Sequence, residues 1–227
     1  MKKGLKIILV LVFIPVFLFT IFFVLLSVPK TIAVDYSESD LQSYLEKTGV
    51  TFHDNNASVE DIFFKNYSAS GSLEVEGTLT SAEATALANA VINETSILKN
   101  IKIKFAGEDR VIASATIGND LSFAYNLFPI ASQYKTIVDT VKGKTIYIET
   151  SLTHQENNTF FAMMSSVSIG QVPFPVDQAN DYGTEIGTIL NDVLNSMPGF
   201  DVESFKIDAD GLHFKGTIPE ETQSLSD

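Results

Sequence analysis

The sequence predicts an α+β protein: an N-terminal transmembrane helix, then one domain of curved antiparallel β-sheet wrapped on long helices. Three observations carry that prediction. An apolar run of 23 residues, 7–29, lies near the start of the chain. Further on, segments of period two, the mark of half-buried strands, alternate with segments of period 3.6, the mark of amphipathic helices. The order strand–helix–strand–strand occurs twice, around residues 70–117 and 160–218, as two halves of one domain.

Lys2, Lys3 and Lys6 precede the run, and only Thr20 and Ser27 interrupt it. As a helix it is about 35 Å long, at about 1.5 Å per residue, against about 30 Å of hydrocarbon. Pro15 is tolerated, because membrane helices accommodate proline. A cleaved signal peptide has an apolar region of about 7–15 residues ending in small side chains. Leu26-Ser27-Val28-Pro29-Lys30 is a poor cleavage site. Residues 7–29 therefore read as an uncleaved single-pass anchor, with 1–6 as a cytoplasmic tail held inside by its lysines. Everything after Lys30 is then extracytoplasmic.

Charge and composition narrow the function. The 227 residues carry 28 acidic and 15 basic side chains, a net charge of −13. Three of the lysines precede the anchor, which leaves the outer part at −16. That excludes a general nucleic-acid binder, which needs a basic face for phosphates, and bulk attraction to an anionic membrane. The chain has no cysteine, so disulfides, thiolate zinc sites and cysteine nucleophiles are excluded. His53, His154 and His213 are far apart, and neither metal nor cofactor is expected. Four N-x-S/T sequons, at Asn56, Asn66, Asn93 and Asn157, are a weak excess in a Ser- and Thr-rich chain and are not read as glycosylation sites.

The outer elements follow in order. Residues 30–58 read as a juxtamembrane helix and linker; Leu41, Tyr44 and Leu45 share one helical face, and Gly49 stops it. Residues 59–219 form the α+β domain, and 220–227 a polar tail. Leu73, Val75 and Leu79 alternate with polar residues as a strand. Thr80-Ser81-Ala82-Glu83 has capping-box spacing and opens an alanine-rich helix to about Asn93. Ile101, Ile103 and Phe105 alternate with Lys102 and Lys104; residues 111–117 return as the next strand. Ile130, Tyr134, Ile137, Val138 and Val141 have helical spacing. Strands 144–154 and 159–169 flank a polar turn. A helix over 177–197 carries the stripe Tyr182, Ile186, Ile189, Leu190, Val193, Leu194 and Met197, and Pro198-Gly199 ends it. Residues 202–207 and 212–218 are strands joined across Asp210-Gly211, a strong hairpin signal.

Signatures of catalysis are missing: there is no G-x-S-x-G, H-E-x-x-H, Walker A or G-x-G-x-x-G. Asp208-Ala209-Asp210-Gly211 fails as an EF-hand, since Lys206 and Thr217 stand where ligands are needed. Lys99, Lys102, Lys104 and Arg110 gather positive charge locally, as a wet strand face, edge protection or a contact for an anionic ligand. Phe160, Phe161, Ala162, Met163 and Met164 are apolar on both faces of one strand. Both faces are then covered, by core on one side and by core or an adaptable apolar cavity on the other. The expected groove residues are Phe160, Phe161, Met163, Met164 and Phe174, with Ile186, Leu190 and Leu194 of the 177–197 helix facing them.

Three stretches carry a resemblance: Leu79-Thr-Ser-Ala-Glu-Ala-Thr-Ala-Leu-Ala-Asn89 leading to Ile101-Lys-Ile-Lys-Phe105, Ile169-Gly-Gln-Val-Pro-Phe-Pro175, and Gly211-Leu-His-Phe-Lys-Gly-Thr-Ile-Pro219. In order and pattern, residues 59–219 resemble small bacterial extracytoplasmic proteins of the tubular lipid-binding (TULIP-like) kind, including the membrane-anchored YpmS-like group. Asn89 matches the helix-borne asparagine such families often carry. The resemblance implies a long helix cradled by a curved sheet, an apolar groove for lipid acyl chains, and no catalytic residues. The expectation is a non-enzymatic lipid-binding or lipid-handling domain tethered to the cell membrane. The alternative is a structural or interaction module of the cell envelope that binds another protein, with a fully packed core and no lipid.

Overall fold

The computed structural model describes residues 20–22, 24–50, 61, 65–92, 98–122, 125, 139–155 and 158–225, the side chains of 91, 92, 182 and 186 excepted. Alternation becomes strand and helical periodicity becomes helix close to where the sequence places them. The strands are β1 (Tyr67–Ser70), β2 (Leu73–Leu79), β3 (Leu98–Gly107), β4 (Arg110–Ile117), β5 (Thr145–Gln155), β6 (Thr159–Ile169), β7 (Val172–Phe174), β8 (Asp201–Ile207), β9 (Leu212–Ile218) and β10 (Glu221–Ser224). The helices are α1 (Glu38–Thr48), α2 (Ser81–Ile92) and α3 (Val176–Ser196).

Local chemistry sets the helix ends. Ser37 caps α1: its N–H and its hydroxyl both donate to the Asp40 carboxylate at 2.7 Å. Gly49 closes α1 in the left-handed conformation at φ 71°, its N–H reaching the Leu45 carbonyl at 2.8 Å. Thr80 and Glu83 form the reciprocal bonds of a capping box at the start of α2, at 2.9 and 3.3 Å. α3 begins after Pro175 and ends before Pro198-Gly199.

The strands form three antiparallel sheets with orders β3-β4-β5-β6-β7, β2-β9-β8 and β1-β10. The two strand–helix–strand–strand units interleave rather than each closing its own sheet. β2 of the first pairs with β9 of the second, Leu79 opposite Leu212. The far ends of the five-stranded sheet meet β8: the Asp109 N–H donates to the Ile207 carbonyl at 3.2 Å, and Asn158 accepts from the Val202 N–H at 2.8 Å. Phe105 and Ile207, both buried, join the two sheets in one core with Ala84 of α2.

Several segments differ from expectation. Residues 221–224 of the expected tail pair with β1, Ala69 opposite Thr222. Val172–Phe174, expected as connection, is a short edge strand that accommodates Pro173 because an edge leaves one side of its backbone unpaired. Residues 30–36, expected within a linker region, lie on the five-stranded sheet. Ile32 and Val34 are buried there against Tyr147 and Ile112, and the Lys30 ammonium stands 3.7 Å above the Tyr147 ring centre. The Asp208–Gly211 hairpin holds, as a four-residue loop closed by the Asp208 N–H on the Gly211 carbonyl at 3.0 Å.

The helix expected over 130–141 lies outside the described residues except at 139–141, of which 139–140 are helical. The expected membrane span 7–29 does so except at 20–22 and 24–29; among the described residues no helix is long and apolar enough to cross a membrane. The described end of that run is helical and is fixed to the sheet. The Gln171 N–H donates to the Leu25 carbonyl at 2.9 Å, and the Lys144 ammonium to the Ser27 hydroxyl at 2.9 Å. Leu26 is buried, and a Cβ on Gly170 would come within 2.4 Å of its carbonyl oxygen.

Candidate functional site

Two helices are held to the edges of the five-stranded sheet by side chains that replace a neighbouring strand. On α2, Ser81 accepts from the Phe105 N–H at 3.0 Å. Thr85 accepts from the Ile103 N–H at 2.9 Å and donates to its carbonyl at 3.2 Å. Asn89 accepts from the Ile101 N–H at 3.0 Å and donates to its carbonyl at 2.7 Å. Four helical residues rise about 6 Å and two strand residues about 6.6 Å, so the steps 81, 85, 89 and 105, 103, 101 match. On α3, Asn191 grips both main-chain groups of Phe160, each at 2.9 Å, and Asn180 those of Met164 at 2.7 and 3.1 Å.

Holding α2 by its polar side leaves its small apolar side over the inner face of the sheets. An open groove of about 460 Å³ lies there. Ala84, Leu87 and Ala88 of α2 form one wall; Ile103, Phe105, Val111 and Leu152 form the floor of β3, β4 and β5. Leu79, Ile207 and Leu212 of the three-stranded sheet complete it, and every lining residue is apolar. Leu79 and Leu212 also border a second cavity of about 190 Å³ under α1, between Tyr44, Val75, Phe214 and Ile218. That second space exists because residue 77 is glycine: a Cβ there would meet nothing within 4 Å.

Polar groups surround this apolar system without entering the groove. The buried Glu83 carboxylate receives the Lys47 ammonium at 2.5 Å, the Ser43 hydroxyl at 2.7 Å and the Thr80 N–H at 2.9 Å. Burial alone would raise its pKa; these donors together outweigh it and hold the group at about 2. Burial pushes the Tyr44 phenol up. Tyr147 is pushed up to about 12, first by burial and then by its hydrogen bond to Glu149. A separate wide cleft, polar throughout most of its lining, opens between His154, Asn158, Thr159, Asp201 and Glu203. His213 lies on the outer face of β9, 2.9 Å from Asp208 and from the Thr78 hydroxyl.

The expected groove residues lie apart from the two apolar cavities just described, as far as their side chains are described. The β5–β6 register puts Phe160, Ala162 and Met164 on the inner face and Phe161 and Met163 on the outer. Phe160 packs edge-on against Phe205, with ring centres 5.2 Å apart, and beside His154 at 5.1 Å. Met164 covers Gly183 of α3, where a Cβ would lie 2.9 Å from its methyl. Phe161 and Met163 are 51% and 66% exposed. Phe174 and Leu194 are half-buried and Leu190 faces outward; the Ile186 side chain lies outside the description. Among the described side chains, none of these lines either apolar cavity. The residues that do were legible singly, as the small face of α2 and the apolar alternation of β2, β3 and β9, but their convergence is tertiary.

Chemically the groove offers no nucleophile, base or metal ligand. It can hold an apolar chain by removing it from water. Burying a methylene is worth about 0.8 kcal/mol, so some sixteen carbons gain roughly 12 kcal/mol relative to water but almost nothing relative to a bilayer interior. No protein-family model, no curated protein and no solved structure matches this chain.

Proposed function

We propose that the chain is a non-enzymatic lipid-handling domain, held outside a bacterial cell membrane by the helix of residues 7–29. The observation that carries this reading is the wholly apolar lining of the 460 Å³ groove. A groove of that size lies within the usual range of about 300–1,000 Å³ for small-molecule sites. Near-zero transfer free energy from bilayer to groove suits exchange or presentation of a lipid rather than its storage. The resemblance to tubular lipid-binding proteins points the same way.

The test is the lipid content of the purified full-length protein, read by mass spectrometry, beside that of Ala88→Trp. Indole at position 88 projects into open groove, so stability is retained while bound lipid falls at least about threefold. If Ala88→Trp destabilises the protein and wild type carries no lipid above detergent background, the groove is ordinary core and the reading is wrong.

One observation favours the interaction-module reading instead. Phe161 and Met163 stand side by side on the exposed outer face of β6, the kind of apolar patch that marks a protein contact. Under that reading Phe161→Ser leaves stability unchanged and abolishes a photo-crosslink from position 163 to one discrete envelope protein, while the purified protein carries no lipid.

A further inference from the structure

The outer part of the chain is strongly acidic, yet among the described residues the end of the five-stranded sheet that meets the helical end of the apolar run is not. Lys144 donates to Ser27, and the β6–β7 turn at Gly170 and Gln171 bonds Leu25 and Pro29. These contacts set that rim of the sheet level with the end of the apolar run. The register carries the level sideways: Thr145 is opposite Thr116 on β4, and Thr116 is opposite Lys99 on β3. At about 4.8 Å per strand, Lys99 is about 10 Å across the rim from β5.

Among the described residues the rim therefore presents Lys99, Lys142 and Lys144, with Lys30 one row further in over Tyr147. The described acids there are Asp139, which pairs with Lys142 at 2.7 Å, and Asp120, which accepts from Ser122. The opposite end of the molecule carries Glu108, Asp109, Asp201, Glu203, Asp208 and Asp210.

We infer that this rim rests on the bilayer and that Lys99 and Lys144 bind the phosphates of anionic phospholipid headgroups. The proposal rests on the anchor reading above, which supplies the surface. Charge complementarity supplies the rest. A domain of net charge −16 is repelled from an anionic membrane as a whole, so only a local row of cations, presented at headgroup level, lets it settle there. Each lysine so placed strengthens attachment several-fold, and screening confines the effect to within about 10 Å of the surface.

The absence of cysteine permits a clean test on the full-length protein. A bimane is attached at Asn119→Cys, exposed beside the rim, or at Asp210→Cys, exposed at the far hairpin. Each protein enters nanodiscs containing nitroxide-headgroup lipid, in phosphatidylcholine alone or with one-third phosphatidylglycerol. The expected result is quenching at position 119 that rises at least about twofold with phosphatidylglycerol, and none at position 210. The rise disappears in Lys99→Gln with Lys144→Gln, and is reduced in Lys99→Gln alone, whose side chain holds no structural contact among the described residues. Equal quenching in both lipid mixtures, or a rise that survives the double substitution, overturns the proposal while leaving the anchor standing. A chain that does not enter nanodiscs overturns the anchor and this proposal with it.

Discussion

Buried among Ser43, Lys47 and Thr80, the Glu83 carboxylate ties α1 to α2. Its pKa is near 4.3 in an unfolded chain and about 2 in the fold. The folded state thus binds fewer protons, so the contribution is complete above about pH 4.3 and lost as pH falls toward 2. Its size is on the order of 3 kcal/mol for a carboxylate this buried. Glu83→Gln is therefore expected to lower unfolding free energy by about 3 kcal/mol at pH 7 and to remove that part of the acid sensitivity between pH 5 and 2. Urea titrations of both proteins across that range check it; parallel curves would show that the charge is not what α1 and α2 share. The Thr80-x-x-Glu83 half of the site was legible, since capping-box spacing is local. Lys47 and Ser43 were not, because they lie 36 and 40 residues away in the chain. Gly211 is a second residue-scale case. At φ 154° a Cβ there would lie 2.4 Å from the Leu79 carbonyl oxygen, whereas one on Gly107 has 3.6 Å to its nearest neighbour. Gly211→Val should lower the melting temperature clearly and Gly107→Ala by less, at about 1 kcal/mol for its left-handed backbone.

The helices earned their positions through their polar faces as much as their apolar ones. Asn89, Asn180 and Asn191 each satisfy one N–H and one C=O of an edge strand. Asn89→Ala strands both groups of the buried Ile101 and should cost about 2–4 kcal/mol. Asn180→Ala should cost less, because water can reach the half-exposed Met164 main chain in its place. Denaturant midpoints for the pair decide this, equal losses counting against the edge-clamp account. Gly77→Val tests the smaller cavity. Its Cβ enters open space in a strand position, so thermal stability should rise by about 1 kcal/mol. Periodicity located β2 to β6, β8, β9 and all three numbered helices to within about three residues at each end. It missed β1, β7 and β10, which are three or four residues long and too short to show a period. It also missed that residues 30–36 are bound to the sheet, since the two anchoring side chains Ile32 and Val34 form no pattern of their own.

Across the whole molecule, the described apolar groove is lined by residues other than the Phe160–Met164 run, for a physical reason. The apolar run Phe160–Met164 covers two faces, but one meets α3 and Phe205 while the other is bare. The apolar groove instead draws its lining from α2 and strands of both larger sheets, which only folding brings together. The joint between the helical end of the apolar run and the sheet is likewise a whole-molecule feature. Gly170→Val would force its side chain into the Leu25 and Leu26 carbonyls, 2.7 and 2.4 Å away. In the full-length protein that substitution should open the segment at Lys30 to trypsin at least about tenfold faster, as expected for a lost docking contact. Unchanged cleavage would mean that the joint yields elsewhere.

That joint turns the domain into a stiff arm. Along β5, from the row bonded to the helix end up to Leu152 in the groove floor, the rise is about 23 Å at about 3.3 Å per residue. A domain on a slack leash would search a hemisphere. Under the proposed anchor reading, this one sweeps a ring of nearly constant altitude as the helix spins about its axis. If the groove handles lipid as proposed, any second protein that takes or delivers one must then present its own opening at that altitude. One that does so meets the groove at high effective concentration; one a few ångströms above or below the ring scarcely meets it at all.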